Sequence, residues 1–239
     1  MLTVRLERLM LRQGSMVLDL GAGGGRHSYA ACARGCNAVA VDLRREDLIG
    51  ARRGFAEYKE MVGLDGSLEL DVVQGDARSL PLGDCTFDAV ICSEVLEHIV
   101  EDTWVVDEIV RVLKPGGHVA LTVPRWGPEV VNWLLSREYH SADGGHIRIF
   151  TRRRVLASML GTKSSAVRLQ GSHHAHALHS PYWWVRSWMG IENDQAWIVR
   201  ALTKVVVYEM MHPGGWWTKI ERVLNPLFGK SLVVYGVKV

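Results

Sequence analysis

The chain is expected to fold as an α/β domain built on a mostly parallel sheet. Three observations predict this. Over the first 124 residues, short β-rich apolar runs alternate with segments of helical period. A glycine-rich turn follows the first run in VLDLGAGGGRHSY, Val17 to Tyr29, and carboxylates mark the first two runs, Asp19 within one and Asp42 closing the next. Parallel strands need a crossover between them, and the helix-period segments supply it.

Taken in order, strands are expected at Met16 to Leu20, Ala38 to Asp42, Glu69 to Gln74, Ala89 to Cys92 and His118 to Val123. Helices are expected near His27 to Arg34, Arg45 to Tyr58 and Asp102 to Leu113. Lys114-Pro115-Gly116-Gly117 closes the last of these, because proline cannot continue the ladder and glycine permits the turn. After Pro124 the pattern predicts a helix at Glu129 to Leu135, a polar loop SREYHSADGGH, a helix at Thr151 to Leu160 and a strand near Ala166 to Leu169. Helical period returns in Gln195 to Met211 and Trp217 to Leu224, and SLVVYGVKV, Ser231 to Val239, closes the chain as a strand. With no repeat and no low-complexity linker, residues 1–239 read as a single domain. Residues 171–230 form a helical, Trp- and His-rich insertion before the last strand.

Composition narrows the function classes. At 239 residues, 48% apolar and 23% charged, the chain suits one globular domain. The net charge of +2, with short scattered basic clusters, argues against nucleic acid. The apolar runs are too short to span a membrane and the first residues lack a signal-peptide core, so a cytoplasmic location is expected. Cys32, Cys36, Cys85 and Cys92 fall outside zinc spacing and read as idle thiols.

Strand, glycine turn, helix is a general way to bring backbone N–H groups and a helix N-terminus to a ligand. Asp19, Gly21, Gly23 and Gly25 give acid-x-Gly-x-Gly-x-Gly, whereas the dinucleotide fingerprint wants its third glycine where this chain has Arg26. Asp42 stands where a carboxylate can accept both hydroxyls of a ribose. A dehydrogenase could share that acid; the later strand ends, GDARSLPL (Gly75 to Leu82) and FDAVICSEVLEHI (Phe87 to Ile99), separate the two readings.

With these segments the chain resembles the class I S-adenosylmethionine-dependent methyltransferases. VLDLGAGGGRH, VDL, GDARSLPL, FDAVICSEVLEHI and RVLKPGGHVALTVP resemble their five motifs in order, from Met16 to Pro124. SEVLEHI and GGHIRIFTRRRVLASM resemble segments of the quinone-biosynthesis, small-molecule branch. The resemblance implies a Rossmann-like seven-stranded, mostly parallel sheet flanked by helices, and S-adenosylmethionine as cofactor.

Carried over by position, Asp19, Gly21, Ala22, Gly23 and Gly25 would meet the methionyl part of the cofactor and Asp42 its ribose. Leu43 would pack on the adenine, Asp76 and the Ala77 N–H would meet its nitrogens, and Ser93 and Glu94 would close the site. An oxygen acceptor also needs a base. His98 comes first, after the fourth strand, followed by His146 and His140 in the loop after the fifth.

No metal ligands are assigned. In HHAHALH, the spacing of His173, His176 and His179 would suit a metal only on a helix; neighbouring Gly171, Ser172 and Pro181 argue for an irregular loop that lines the acceptor pocket with polar groups. Six of the nine tryptophans lie between Trp183 and Trp217. Neighbours in the pairs Trp183-Trp184 and Trp216-Trp217 cannot both face inward on one regular element. The insertion is therefore expected to cover the site and select the acceptor; a peripheral membrane contact and a homodimer interface also fit such residues. The expected activity is methyl transfer to a small-molecule or lipid-like acceptor, at oxygen. The alternatives are a sugar or glycoside hydroxyl as acceptor, an NAD-dependent oxidoreductase, and a non-catalytic cofactor-binding protein.

Overall fold

The computed structural model describes residues 2–64, 68, 70–136, 145–160, 167–190, 193–211 and 215–239. Seven strands make one sheet: β1 (Met16–Leu20), β2 (Asn37–Asp42), β3 (Leu70–Gln74), β4 (Phe87–Ser93), β5 (Leu113–Pro124), β6 (Val167–Ala175) and β7 (Ser231–Lys238). Their spatial order is β3-β2-β1-β4-β5-β7-β6. The first five pair in parallel, while β7 runs antiparallel to both β5 and β6. The sheet is thus Rossmann-like and mostly parallel, as expected. The strand order reverses between β1 and β4, which opens a crevice at their carboxyl ends, the usual ligand site of such sheets.

The central strands are apolar on both faces because helices cover both. β1 and β4 are buried almost throughout. On one face Leu18, Val90, Leu121 and Val234 meet α3 (Asp102–Val112) and α5 (Arg152–Leu160) in the largest core cluster. On the other, Val17, Ile91, Val233 and Tyr235 meet the N-terminal segment and α1 (Arg26–Cys32). The remaining helices are α2 (Arg45–Val62), α4 (Trp126–Leu135), α6 (His179–Met189), α7 (Trp197–Met211) and α8 (Trp216–Phe228).

Three boundaries differ from those expected. Lys114 to Gly117 lie within β5, with a register shift opposite Phe87 and Ala89, because Leu113 already pairs with Phe87. Strand β6 continues to Ala175 because β7 offers it a partner along its whole length. Residues 171–175 of the expected insertion are therefore strand, and α6, α7 and α8 follow them. His173 and His174 lie on β6 rather than in an irregular loop. Of the expected loop SREYHSADGGH, Ser136 to His146, residues 137–144, with His140, lie outside the described residues.

Candidate active site

The crevice begins at the end of β1. Gly21, Gly23 and Gly25 all take the left-handed backbone (φ 70°, 50° and 78°) that side chains disfavour. Their reasons differ. A Cβ on Gly21 would come within 2.2 Å of Val95 Cγ2, and one on Gly25 would press on Tyr29 and Ala51, whereas one on Gly23 would meet nothing within 4 Å. Two glycines thus let neighbouring elements close up, and the third bends the chain beside open space.

Asp19 is buried, and its Oδ2 accepts both the N–H and the hydroxyl of Ser28 in α1. Its Oδ1 has no hydrogen-bond partner among the described residues. Burial raises the carboxyl to about 6, against the Ser28 hydrogen bonds that lower it. On β2, Asp42 accepts the Gly23 N–H (2.9 Å) and the Arg44 N–H (2.9 Å), tying the two strand ends together. Leu43 is exposed beside it. Asp76 is held below the ordinary carboxylate range, first by the Arg78 side-chain bonds, which engage both its oxygens. Ala77 packs against the main core, and Ala22 is buried behind the glycine turn.

At the end of β4, Ser93 and Glu94 turn around Thr122 of β5. The Thr122 hydroxyl donates to Glu94 Oε1 (2.8 Å), while the Glu94 N–H bonds to Thr122. Glu94 holds a left-handed φ of 57°, unusual for a side chain longer than asparagine. The Arg26 guanidinium reaches over the turn to Thr3 (3.1 Å) and Ser93 (3.5 Å). The sequence weighed Arg26 only as a missing glycine; its cation beside the cradle emerges from the fold.

The 3-10 turn Leu96–His98 brings a second group together. Glu97 is fully buried, and neither carboxylate oxygen has a hydrogen-bond partner among the described residues. Burial, and the neighbouring charges of Glu94 and Glu129, push its carboxyl well above the ordinary range. His98 Nδ1 lies 3.3 Å from the Gly145 carbonyl, and its ring meets the His146 ring edge-on at 5.0 Å. Burial and His146 hold the His98 imidazole below its ordinary value. His146 Nδ1 lies 2.5 Å from Glu129 Oε1 of α4. Burial would raise Glu129, but the His146 hydrogen bond and charge outweigh it, and its carboxyl stays below its usual value.

Ligand atoms of Glu97, His98 and His146 all lie within 4.8 Å of one another, a set able to hold a divalent cation. Of the three histidines expected as bases, two therefore meet here and His140 lies outside the described residues. Glu97 and Glu129 were missed. Glu97 adjoins His98 in SEVLEHI, but nothing in the sequence tells that it is buried or that it comes within electrostatic reach of Glu129 on α4.

The HHAHALH histidines do not share a face. His173 stacks on Tyr235, while the rings of His176 and His179 lie 5.0 Å apart. In the aromatic region, Trp183 and Trp184 are both half-buried, one beneath Lys230 and the other donating to the Pro128 carbonyl. Trp216 is exposed and stacks on Trp217.

Comparison with known proteins agrees with this geometry. A methyltransferase domain family matches residues 18–121, from β1 to β5. A demethylmenaquinone methyltransferase of Clavibacter sepedonicus is 39% identical over 108 residues, 45% of this chain and 40% of the relative. A ubiquinone biosynthesis O-methyltransferase of Xanthomonas oryzae pv. oryzae (strain PXO99A) is 32% identical over 171 residues, 66% of each chain. Among solved structures, an S-adenosylmethionine-dependent methyltransferase from Mesorhizobium loti superposes with a TM-score of 0.58 at 15% identity, covering 97% of this chain and 95% of its own. The cyclase SpnF superposes with a TM-score of 0.60 at 19% identity, covering 97% and 77%. These structures share the fold; the sequence match carries the chemistry. It decides between the two cofactor readings that the glycine turn left open, and the chain belongs to the class I S-adenosylmethionine-dependent methyltransferases.

Proposed function

We propose that the protein transfers the methyl group of S-adenosylmethionine to a hydroxyl oxygen of a small-molecule, quinol-like or lipid-like acceptor. The observation that carries this reading is the buried Glu97 carboxylate, unpartnered within the described residues and set beside His98 and His146 at the end of β4. Asp42 would hold the cofactor's ribose, and Asp76 with the Ala77 N–H its adenine. Asp19 Oδ1 would meet its amino group, while Arg26 would meet its carboxylate. The acceptor class takes support from the relatives named for quinone biosynthesis.

In the reaction an oxygen lone pair attacks the methyl carbon in line, the carbon–sulfur bond breaks, and its electron pair stays on the now neutral sulfur. The hydroxyl proton must leave at or before this step. A divalent cation bound at Glu97, His98 and His146 would supply a Lewis acid that makes the hydroxyl more acidic. Glu129 fixes the His146 ring, and so the direction in which its Nε2 points. The helices α6 to α8, carried between β6 and β7, would cover the acceptor.

The test uses a quinol acceptor with the purified protein. Chelation should abolish turnover, readdition of magnesium, manganese or zinc should restore it, and Glu97→Gln should lower kcat at least about 100-fold while cofactor binding is kept. Turnover that survives chelation and falls only in His98→Asn would instead make His98 a plain base. Full turnover in both variants would sink the reading.

A further inference from the structure

A cavity of about 530 Å³ lies beside the first turn of α4, within the size range of small-molecule sites. Trp126, Gly127 and Pro128 line it, but the next residue, Glu129, belongs to the cluster described above. Its walls are aromatic: Trp126, Phe150, Trp184 and Phe228, drawn from α4, α6, α8 and the segment before α5. Its polar side chains are of one kind. Arg125, Arg152 and His174 line it, and no acidic residue does among the described residues.

These groups converge for structural reasons. A bridge between Arg125 and Phe150 brings the end of β5 next to the start of α5, which carries Arg152. The register of β6 against β7 pairs His174 with Leu232, which also lines the cavity, so both point to the same face of the sheet. After burial, the charges of Arg125 and Arg152 are the next influences that hold His174 below its ordinary basicity, which places all three within electrostatic reach. Arg125 gives one N–H to the Leu227 carbonyl and retains others. Neither arginine makes an ion pair among the described residues. Two guanidinium groups that face an aromatic cavity together repel each other, and an anion between them removes that cost.

We infer that this cavity binds an amphiphilic anion, a small molecule whose single carboxylate or phosphate end meets Arg125 and Arg152 and whose apolar body lies against the four aromatic rings. The inference stands apart from the identity of the methyl acceptor, since it concerns binding alone. Dodecanoate, dodecyl phosphate and dodecanol, each kept below its aggregation concentration, would be titrated into the full chain. Calorimetry and the fluorescence of Trp126 and Trp184 would report binding. Both anions should bind, and dodecanol at least about tenfold more weakly. The tighter of the two anions identifies the head group. Arg152→Gln should erase the preference for anions, and Val131→Trp, which fills the cavity, should remove binding of all three. S-adenosylmethionine binding by each variant shows that it is folded. Equal affinity for dodecanol and dodecanoate, a preference kept in Arg152→Gln, or anion binding kept in Val131→Trp would each overturn the inference.

Discussion

Gly21 and Gly23 look equivalent in the sequence and are not so in the fold. A Cβ on Gly21 would overlap Val95, whose position is fixed by the left-handed Glu94 before it, whereas Gly23 has open space around it. Gly21→Ala should therefore lose several kcal/mol, about 3 or more from the overlap and the backbone conformation together, and should lose cofactor binding with it. Gly23→Ala pays only for its φ, about 1 kcal/mol, and should remain folded. Thermal melts of the two variants decide this, and equal losses would contradict the assignment. Asp19 carries the same lesson at the level of single atoms. One oxygen satisfies the first turn of α1, and the other lies buried with no hydrogen-bond partner among the described residues, so the two atoms of one carboxylate stand in different environments.

Among the elements, β7 contributes more than its pairing. Its last residue, Lys238, donates from Nζ to the Val110 and Leu113 carbonyls, both at 2.7 Å, and so satisfies the end of α3 and the entry to β5. This contact explains how the chain can leave the helix at Val112 and enter the sheet at once, where the sequence predicted a Pro-Gly-Gly turn. Lys238→Met keeps the aliphatic stem and removes the donor. It should cost about 1 kcal/mol, or about 2–4 °C in melting temperature. An unchanged melt would mean that water replaces the ammonium without loss. α8 shows the opposite arrangement: its buried residue is Glu221, near His176, while Trp216, Val223 and Leu227 are exposed.

For the whole molecule, the buried histidines set the response to acid. Burial keeps His27 neutral in the folded chain down to about 3, with the charges of Arg26 and the N-terminus adding to the effect, while in the unfolded chain it titrates near 6.5. Below about pH 6.5 the unfolded state therefore binds the extra proton. Stability falls as pH drops, by up to about 1.4 kcal/mol per unit from this residue, until the folded form also protonates. His173 and His179, each lowered to about 4, act in the same direction. Asp19 acts oppositely: raised to about 6, it contributes stability below pH 3.8 that is lost as pH rises through 6. The net expectation is a loss of stability from pH 7 to pH 5, measurable by urea unfolding, with a shallower slope in His27→Asn. Equal slopes would show that His27 protonates without unfolding.

The sequence by itself determined the α/β class, the first five strands, the glycine turn and the acids at the strand ends, because each rests on local period or short spacing. Parallel strands buried on both faces leave continuous apolar runs, and turns leave their glycines, so these features are written along the chain. Tertiary structure alone decided what depends on pairing and burial. Strand β6 extends through HHA because β7 lies beside it, and Glu97 joins His98, His146 and Glu129 because β4, α4 and the segment before α5 end at one edge of the sheet. Arg125 and Arg152 meet His174 in one cavity for the same reason. Charges that are distant in sequence carry no local signature, and only the packed sheet places them within reach of one another.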